Sequence, residues 1–488
     1  MSEDIKQQLL IKVGDKRNEY DQENHLGKKI WNESRKMWVI AAPAIFTRFT
    51  TFGTNVITQA FVGHIGAIEL AAYSLILTVL LRFGNSILLG MASGLETLCG
   101  QAYGAKQYHM LGIYLQRSWI ILTISTTVIL PLFIFASPIL RALGQDEDIA
   151  KEAGKIALWL IPVVYSYILS LTCQMFLQSQ SKNMIIAYLA VVSLSIHVFL
   201  SWLLTVKYNY GIPGAMISMI LAFWIPNVGQ LLFIFNGGCQ ETWKGFSSLA
   251  FKDLIPIMRL SLASGAMICL ELWYYTILIL LTGTLKNAEI AIDALSICIN
   301  INGWEMMISL GFLAAASVRV ANELGSGSAN AAKFSVWVTV LTSLGIGFVL
   351  FIFFMFFRER LAYIFTTSKD VAIAVGYLSP LLAFSILLNS VQPVLSGVAV
   401  GAGWQSSVAY VNVGCYYLIG VPIGVILGYV FNLQVKGVWI GMLIGTLMQT
   451  IVLVVMTLRT DWNKQVLDAQ QRVNKWFVQS DETCSQSN

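Results

Sequence analysis

About twelve long apolar segments run through this 488-residue chain, and they restrict it to folds that can be buried in a lipid bilayer. A helix needs roughly 20 mostly apolar residues to cross a hydrocarbon core about 30 Å thick. Segments 118–136, 338–357 and 438–458 meet that requirement, and they lack the alternation of polar and apolar residues that barrel strands require. With 56% hydrophobic and 12% charged residues, the chain is predicted to be an all-α polytopic membrane protein.

The apolar segments predict twelve transmembrane helices, divided into two sets of six by a polar segment near the middle of the chain. The predicted spans are 39–62, 68–94, 112–136, 154–178, 184–205, 213–235, 255–283, 289–318, 334–357, 372–400, 407–430 and 437–458. The predicted organisation is a polar N-terminal tail at 1–36, a first lobe at 37–236, a linker at 237–254, a second lobe at 255–459 and a polar C-terminal tail at 460–488.

Weak internal repeats indicate that the two sets of helices are copies of one another. Leu160-Ile-Pro162 in the fourth span matches Leu378-Ser-Pro380 in the tenth, and each is followed twelve residues later by a glutamine, Gln174 or Gln392. Because each set has an even number of helices, both sets enter the membrane from the same side, related by an axis along the membrane normal. A cleft between two such lobes can open alternately to either face.

Basic residues predict the orientation in the membrane. Lys28, Lys29, Arg35 and Lys36 precede the first span, and Arg459 follows the last, which places both termini in the cytosol by the positive-inside rule. The first 36 residues contain no apolar stretch typical of a cleavable signal peptide. The net charge of +5 therefore reports topology, and no nucleic-acid partner is expected.

One carboxylate, Glu271, lies in the middle of the seventh span within the sequence ICLELWYYTILILL. An ionisable group at that depth is costly and usually binds or relays something, although a hydrogen-bonded neighbour could also make it a silent structural group. Trp273 and Tyr275 follow it, and Tyr417 lies in the eleventh span. These rings can stack on a flat or cationic ligand, or they can pack in the interior.

The eighth span carries a second polar group of residues. Asn302 and Glu305 are three residues apart and share a helix face, and Asn300 is close in sequence. Glu305 is the second candidate for a coupling or substrate-contacting acid; alternatively, the asparagines hold it as a structural brace. The tenth span offers only neutral groups, so Asn389 and Gln392 are predicted to be hydrogen-bond partners.

Other polar residues have less specific interpretations. Arg48 and Arg82 either snorkel or pair, or they attract an anionic substrate. Glu96 is expected to cap or brace the end of the second span, and His197 to be a satisfied structural histidine. The seven cysteines are expected to be small core residues, and neither they nor the four histidines have the spacing of a metal site.

Three separated motifs occur in order along the chain: Leu95-Glu-Thr-Leu-Cys-Gly-Gln-Ala-Tyr-Gly-Ala105, Val318-Arg-Val-Ala-Asn-Glu-Leu-Gly325 and Pro393-Val-Leu-Ser-Gly-Val-Ala-Val-Gly401. They resemble signatures of the multidrug and toxic compound extrusion (MATE) family, particularly its plant branch. The resemblance implies two six-helix lobes around a V-shaped cleft and cation-coupled antiport of small organic compounds, driven by protons in most eukaryotic members. It also places Glu271 at the family's acidic position in the seventh span, which makes Glu271 the implied proton carrier.

The same resemblance implies a difference from prokaryotic relatives in the first lobe. Their acidic positions in the first and fifth spans fall on Thr58 and Ser201 here. The resemblance therefore gives no support for proton coupling through the first lobe.

The function predicted from these observations is secondary active, proton-coupled efflux of flat aromatic or cationic compounds by a monomer in the vacuolar or plasma membrane. No phosphate-binding loop and no catalytic constellation is found, so ATP-driven pumping and membrane-enzyme chemistry are disfavoured. A lipid flippase of related architecture is the main alternative, because Arg48 and Arg82 could accommodate a phosphate headgroup. The proton is the only predicted coupling partner, and no cofactor is expected.

Overall fold

The computed structural model describes residues 3–283 and 289–485, and it describes their side chains except at 3–25, 278–280, 282–283, 289–293, 296, 358–359 and 475–485. Within the described residues the chain is helical and contains no strand. Twelve long helices run in chain order: α1 (Glu3–Ile65), α2 (Ala67–Gly104), α3 (Tyr108–Ile134), α4 (Glu147–Ser179), α5 (Met184–Lys207), α6 (Gly211–Gly238), α7 (Leu254–Gly283), α8 (Glu289–Gly325), α9 (Ala329–Phe356), α10 (Lys369–Ala402), α11 (Gln405–Val430) and α12 (Gln434–Arg459). A further helix, α13 (Trp462–Ser485), follows the last span. The predicted all-α class is confirmed.

Helices α2 to α12 are long and apolar enough to cross a membrane by the criteria of length and composition. The predicted span 39–62 lies inside α1, where Arg48, Asn55 and several threonines make the segment more polar than the other eleven. Several helices continue beyond their predicted ends; α2 runs to Gly104 and α8 to Gly325. Hydropathy ends early there because the last turns bury polar side chains between the lobes.

Each lobe has its own apolar core, and α1 contributes to both. Val62, in the second half of α1, packs into the core formed by α2 to α6. Met37 and Ile40, near its middle, pack instead against Phe312 of α8 and Val398 of α10. The helix also continues without interruption across residue 36, so the predicted boundary between tail and first lobe is not a break in the structure.

A buried ion-pair group fastens the polar part of α1 to α8. Arg319 donates from Nε to Glu33 Oε1 at 2.7 Å and from Nη2 to Glu33 Oε2 at 2.9 Å. The same Nη2 donates to Glu323 Oε1 at 2.5 Å. The planar guanidinium group therefore satisfies two carboxylates at once, in the two-pronged geometry that arginine provides. Residues predicted to belong to a tail thus form part of the packed structure.

The lobes are packed together at the membrane face that carries both chain ends, which we call the terminal face. There, Thr97 of α2 donates its hydroxyl to the carbonyl of Val400 at 2.6 Å, and Gln101 donates to the carbonyl of Gly401 at 3.0 Å. Gln405 Nε2 donates to Thr97 Oγ1 at 2.8 Å. These polar contacts join α2 of the first lobe to α10 and α11 of the second, so the cleft is closed on this side.

Helix α13 lies across this closed seam. Arg472 donates from Nη1 to Gln101 Oε1 of the first lobe at 3.2 Å and from Nη2 to the carbonyl of Ala402 of the second lobe at 3.1 Å. Trp404 Nε1 also donates to Gln465 Oε1 at 2.9 Å. The predicted polar C-terminal tail is therefore an ordered element that contacts both lobes.

Close helix contact inside the second lobe depends on Gly397. A Cβ atom at this position would collide with the backbone carbonyl of Leu313 in α8, whereas a Cβ at Gly345 in α9 would enter open space. We expect Gly397→Ala to reduce the free energy of unfolding by about 1–3 kcal/mol, because the helices must separate to accommodate it. Gly345→Ala should leave stability unchanged or raise it, since alanine is favoured in helices by about 1 kcal/mol. Thermal unfolding in detergent would measure both, and equal effects of the two substitutions would contradict the packing argument.

The two contacts of Arg472 predict that α13 stabilises the closed terminal face. Arg472→Ala removes two hydrogen bonds from a charged donor, worth about 1.5–3 kcal/mol each. Amide hydrogen exchange should then become faster at the ends of α2 and α10. Lys464→Ala, at an exposed position of the same helix, is the control and should not change exchange there. Unaltered exchange in Arg472→Ala would mean that α13 lies on the seam without stabilising it.

Candidate functional site

A cavity of about 400 Å³ lies between the two lobes. Its lining comes from α1, α2 and α4 of the first lobe and from α7, α8, α10 and α12 of the second. This volume falls within the range of sites that hold a single small organic molecule. The pattern of twelve spans in two lobes thus produces the interlobe cleft that the internal repeats predict.

Glu271 lines this cavity from the middle of α7. Its side chain is 7% exposed, and its Oε1 accepts a hydrogen bond of 3.0 Å from the Nε2 of Gln392 in α10. The same Nε2 lies 3.1 Å from the hydroxyl oxygen of Ser396. Gln392 is fully buried. The predicted acid and its predicted amide partner therefore meet in the structure.

Helix α10 is broken next to this contact. Its first segment ends at Asn389 and its second begins at Gln392, separated by a turn at 390–391 and followed by Pro393, which has no N–H to donate. Asn389 Nδ2 lies 3.1 Å from Asn302 Oδ1. The side chains on the two sides of the break therefore point to polar groups on two different helices, α8 and α7.

Glu305, the second predicted acid, is held next to the same break. It accepts a hydrogen bond from the hydroxyl of Ser309, one helical turn further along α8, at 2.5 Å. A longer contact of 3.5 Å joins Asn389 Nδ2 to its other oxygen. The side chain is 5% exposed and does not belong to the cavity lining. Its geometry corresponds to the structural brace that the sequence left open as an alternative.

Of the other second-lobe residues predicted for the site, some line the cavity and some do not. Asn302 and Tyr275 line the cavity. Asn300 is exposed and does not line the cavity, because residues two positions apart on a helix point in directions about 200° apart. Its predicted role at the site remains a prediction.

Two predicted cavity rings pack elsewhere. Trp273 stacks on Phe83 of α2 with ring centroids 5.1 Å apart and planes inclined by 6°. Tyr417 donates its hydroxyl to the carbonyl of Leu270 at 2.9 Å and so joins α11 to α7. Neither ring belongs to the cavity lining, and both have the interior packing that the sequence left open as the alternative. Both instead fix the orientation of α7, the helix that carries Glu271.

In the first lobe, Thr58 and Ser201 belong to one buried cluster around His197. The Nε2 of His197 is 3.0 Å from Thr58 Oγ1, and its Nδ1 is 3.2 Å from the carbonyl of Ser218. The hydroxyl groups of Ser201 and Ser218 are 2.6 Å apart. The expectation of a satisfied histidine agrees with these contacts. His197 and Ser201 are one turn apart on α5, but the sequence did not link them to Thr58, which comes from α1, because the packing of the two helices was unknown.

Several residues that line the cavity were not predicted to be site residues. Glu96, expected at the end of a span, lies inside the cavity because α2 continues past it to Gly104. Gln174, Gln178 and Asn55 also line the first-lobe wall. The sequence did contain a signal for Gln174, because Gln174 occupies the position in the first repeat that Gln392 occupies in the second. Six cysteines with described side chains are buried and unpaired.

Comparison with known proteins identifies relatives over almost the whole chain. The MatE family model matches residues 43–203 and 263–426, one match in each half. The chain is 66% identical to Protein DETOXIFICATION 21 of Arabidopsis thaliana, covering 96% of this chain and 95% of that protein. It is 65% identical to Protein DETOXIFICATION 20 of the same plant, with 94% of each covered.

Solved structures give the same result. The eukaryotic MATE transporter AtDTX14 superposes with a TM-score of 0.86 at 33% identity, covering 91% of this chain and 99% of that one. An outward-facing multidrug resistance MATE transporter of the MOP superfamily gives a TM-score of 0.77 at 16% identity, covering 91% and 96% respectively, and supports the fold alone.

The contact between Gln392 and Glu271 predicts a measurable coupling. Gln392→Leu leaves a buried carboxylate without its donor, which costs about 1–3 kcal/mol. In a Glu271→Leu background the same substitution should cost about 1 kcal/mol less, because the partner is already gone. Thermal unfolding of the four proteins would measure this difference. As a control, Gln392→Leu combined with Ser193→Ala, which removes a hydrogen bond to Ala222 in the first lobe, should be additive. Additivity in both cycles would contradict the assigned hydrogen bond.

Proposed function

The chain belongs to the MatE family of multidrug and toxic compound extrusion transporters, and we propose that it is driven by protons carried on Glu271. Membership makes it an integral membrane protein and a secondary active efflux antiporter of small organic compounds, and it is not an enzyme. The flippase alternative is not favoured by these relatives.

The observation that supports Glu271 as the proton carrier is its environment. The carboxylate lines the cavity, and among the residues that the structure describes its hydrogen-bond donor is a neutral amide at 3.0 Å. Among the described residues it makes no ion pair with a basic side chain within 4.0 Å. A carboxylate held by a permanent positive partner would stay ionised, whereas one facing a cavity with a neutral partner can gain and lose a proton as its surroundings change. Glu305, next to the same break, is the second residue proposed to take part in coupling.

The proposed coupling passes through the break in α10. An ionised carboxylate accepts a stronger hydrogen bond from Gln392 than a protonated one does. Gln392 begins the second segment of α10. A stronger or weaker hydrogen bond to Glu271 therefore holds this segment more or less tightly against α7. The turn at 390–391 and Pro393 allow the two segments to change their angle. Protonation and the arrangement of the lobes therefore influence each other reciprocally.

The direction of transport is proposed from the closed terminal face. Basic residues at the chain ends assign this face to the cytosol, which leaves the cavity to exchange with the opposite side. The vacuolar lumen and the cell exterior, the two compartments proposed, are both more acidic than the cytosol. A proton entering from there reaches Glu271 while the substrate leaves. All residues of this path come from one chain, which is consistent with a monomer.

The proposed substrate is a flat aromatic compound. Phe52, Tyr275, Met306 and Met307 give the cavity a largely apolar lining with aromatic surfaces. Rings stack on such surfaces, and methionine adapts its shape to different ligands. The charge of the bound compound is determined by the residues of the first-lobe wall.

Glu271→Gln tests the proton assignment, because glutamine keeps the shape and the hydrogen-bond acceptor but cannot be ionised. In proteoliposomes with an imposed pH difference, we expect at least a tenfold loss of uphill accumulation of a fluorescent aromatic substrate. Substrate exchange at equal pH should persist, and thermal unfolding should stay close to that of the parent.

Glu152→Gln is the matched control, since it removes a carboxylate that pairs with Lys155 outside the cavity, and it should transport normally. Uphill accumulation by Glu271→Gln at the parental rate would disprove the assignment. Accumulation driven by a sodium gradient without a pH difference would show that the coupling ion is not the proton.

A further inference from the structure

The first-lobe wall of the cavity contains two guanidinium groups, those of Arg48 in α1 and Arg82 in α2. Within the described residues, neither forms a hydrogen bond or an ion pair. Charged groups inside a membrane protein are costly and usually find a partner of opposite charge. Two unpaired cations in a cavity of this size therefore indicate that the partner is supplied by the ligand.

One buried polar group of the same wall adds to the site. The Nε2 of Gln174, a side chain only 8% exposed, is buried without an acceptor among the described residues. Its N–H groups and the two guanidinium groups are donors, and an oxyanion offers acceptors to them. The wall also contains two buried acceptor atoms without a partner among the described residues, Asn55 Oδ1 and Glu96 Oε1, which a hydroxyl group on the same ligand would satisfy.

Glu96 does not cancel this positive charge. It interacts electrostatically with Arg48, but no contact within 4.0 Å joins them, and its side chain is only 3% exposed. Two arginines against one carboxylate leave the first-lobe wall with one excess positive charge. Instead, the negative charge of Glu96 partly offsets the charge of Arg48, which makes this arginine less costly to bury when no ligand is bound.

The two arginines lie at different depths. Arg82 and Glu96 are fourteen residues apart on α2, which corresponds to about 21 Å along the helix at 1.5 Å per residue. Arg48 interacts with Glu96, so it lies near the closed, deep end of the cavity. Arg82 lies near Phe83, whose partner Trp273 is two residues beyond Glu271, and is therefore closer to the mouth. One small anion cannot contact both groups at the same time.

We propose that the transported substrate is an organic anion whose carboxylate, or a comparable oxyanion, is bound by Arg48, while Arg82 draws it into the cleft. The flat apolar body of the substrate then faces Tyr275, Met306 and Met307 on the second-lobe wall. A guanidinium group matches an oxyanion with two parallel hydrogen bonds, and a second cation at the mouth increases the rate of entry. This assignment rests on the proposed antiport function and replaces the cationic substrate class expected from the sequence.

An anionic substrate changes how coupling must work. A proton and an anion carry opposite charges, so they do not compete for Glu271, and the coupling has to pass through the arrangement of α10. It also changes the electrical balance. Exchange of one monovalent anion for one proton moves two charges in the same electrical sense, whereas exchange of an uncharged analogue moves one. Uptake of the anion should therefore depend more steeply on membrane potential.

The test uses purified full-length protein in proteoliposomes with an acidic interior and three fluorescent probes with the same ring system. The probes are an aromatic carboxylate, its methyl ester and a trimethylammonium analogue. The parent should accumulate the carboxylate at least tenfold faster than either of the others. Arg48→Gln should reduce carboxylate uptake at least tenfold and change ester uptake less than twofold. Arg82→Gln should slow carboxylate uptake and remove its dependence on ionic strength.

Two further variants keep the test decisive. Arg259→Gln removes an exposed arginine outside the cavity and should transport all probes as the parent does. Arg48→Lys keeps the charge and loses the planar fork, so it should give an intermediate carboxylate-to-ester ratio even if Arg48→Gln fails to fold.

Preference of the parent for the ester or the cation would overturn the assignment, as would an equal loss of carboxylate and ester uptake in Arg48→Gln. If no probe accumulates under a pH difference, the proposed proton coupling is wrong. Translocation of a fluorescent anionic phospholipid in place of the soluble carboxylate would identify the same wall as a headgroup site and overturn the soluble-substrate assignment.

Discussion

The break in α10 is the constraint around which the second lobe is organised. A membrane helix normally satisfies its own backbone, and an interruption is tolerated only where protein or a cavity surrounds it. Here the interruption places Asn389 and Gln392 on opposite sides of a two-residue turn, with one directed to α8 and the other to α7. Both buried acids of this lobe are thereby connected to one deformable point. A change at either acid is transmitted to the same helix.

The two repeats use equivalent positions for different purposes. Gln174 and Gln392 follow matching prolines, yet Gln174 belongs to a wall that carries two arginines, whereas Gln392 binds a carboxylate. The two halves thus share a backbone plan but place groups of different charge at the cavity. Thr58 and Ser201, onto which the family resemblance places the acids of prokaryotic relatives, belong to the buried cluster around His197. Under the two proposals above, the charge of the substrate is bound in the first lobe and the proton in the second.

The sequence predicted the membrane class and the helix count, because hydropathy acts locally. It also singled out Glu271 and Gln392 separately, but not the hydrogen bond between them. It was less informative where tertiary contacts decide the outcome. Hydropathy ended α2 before its last turns, since Thr97 and Gln101 are polar residues buried by the opposite lobe. Trp273 and Tyr417 looked like ligand-binding rings, but their neighbours, Phe83 and the carbonyl of Leu270, are distant in sequence. Asn300 lies outside the cavity lining because its spacing of two residues from Asn302 puts it on the other side of α8.

Helix α13 has a consequence for the speed of the transport cycle. Arg472 bonds simultaneously to Gln101 of one lobe and to the backbone at Ala402 of the other. For the cavity to load from the side of the chain ends, those lobes must part, and one of the two bonds must be given up in every turnover. Helix α13 therefore acts as a latch whose strength enters the activation barrier, so that changes in this helix can govern the pace of export without touching the substrate.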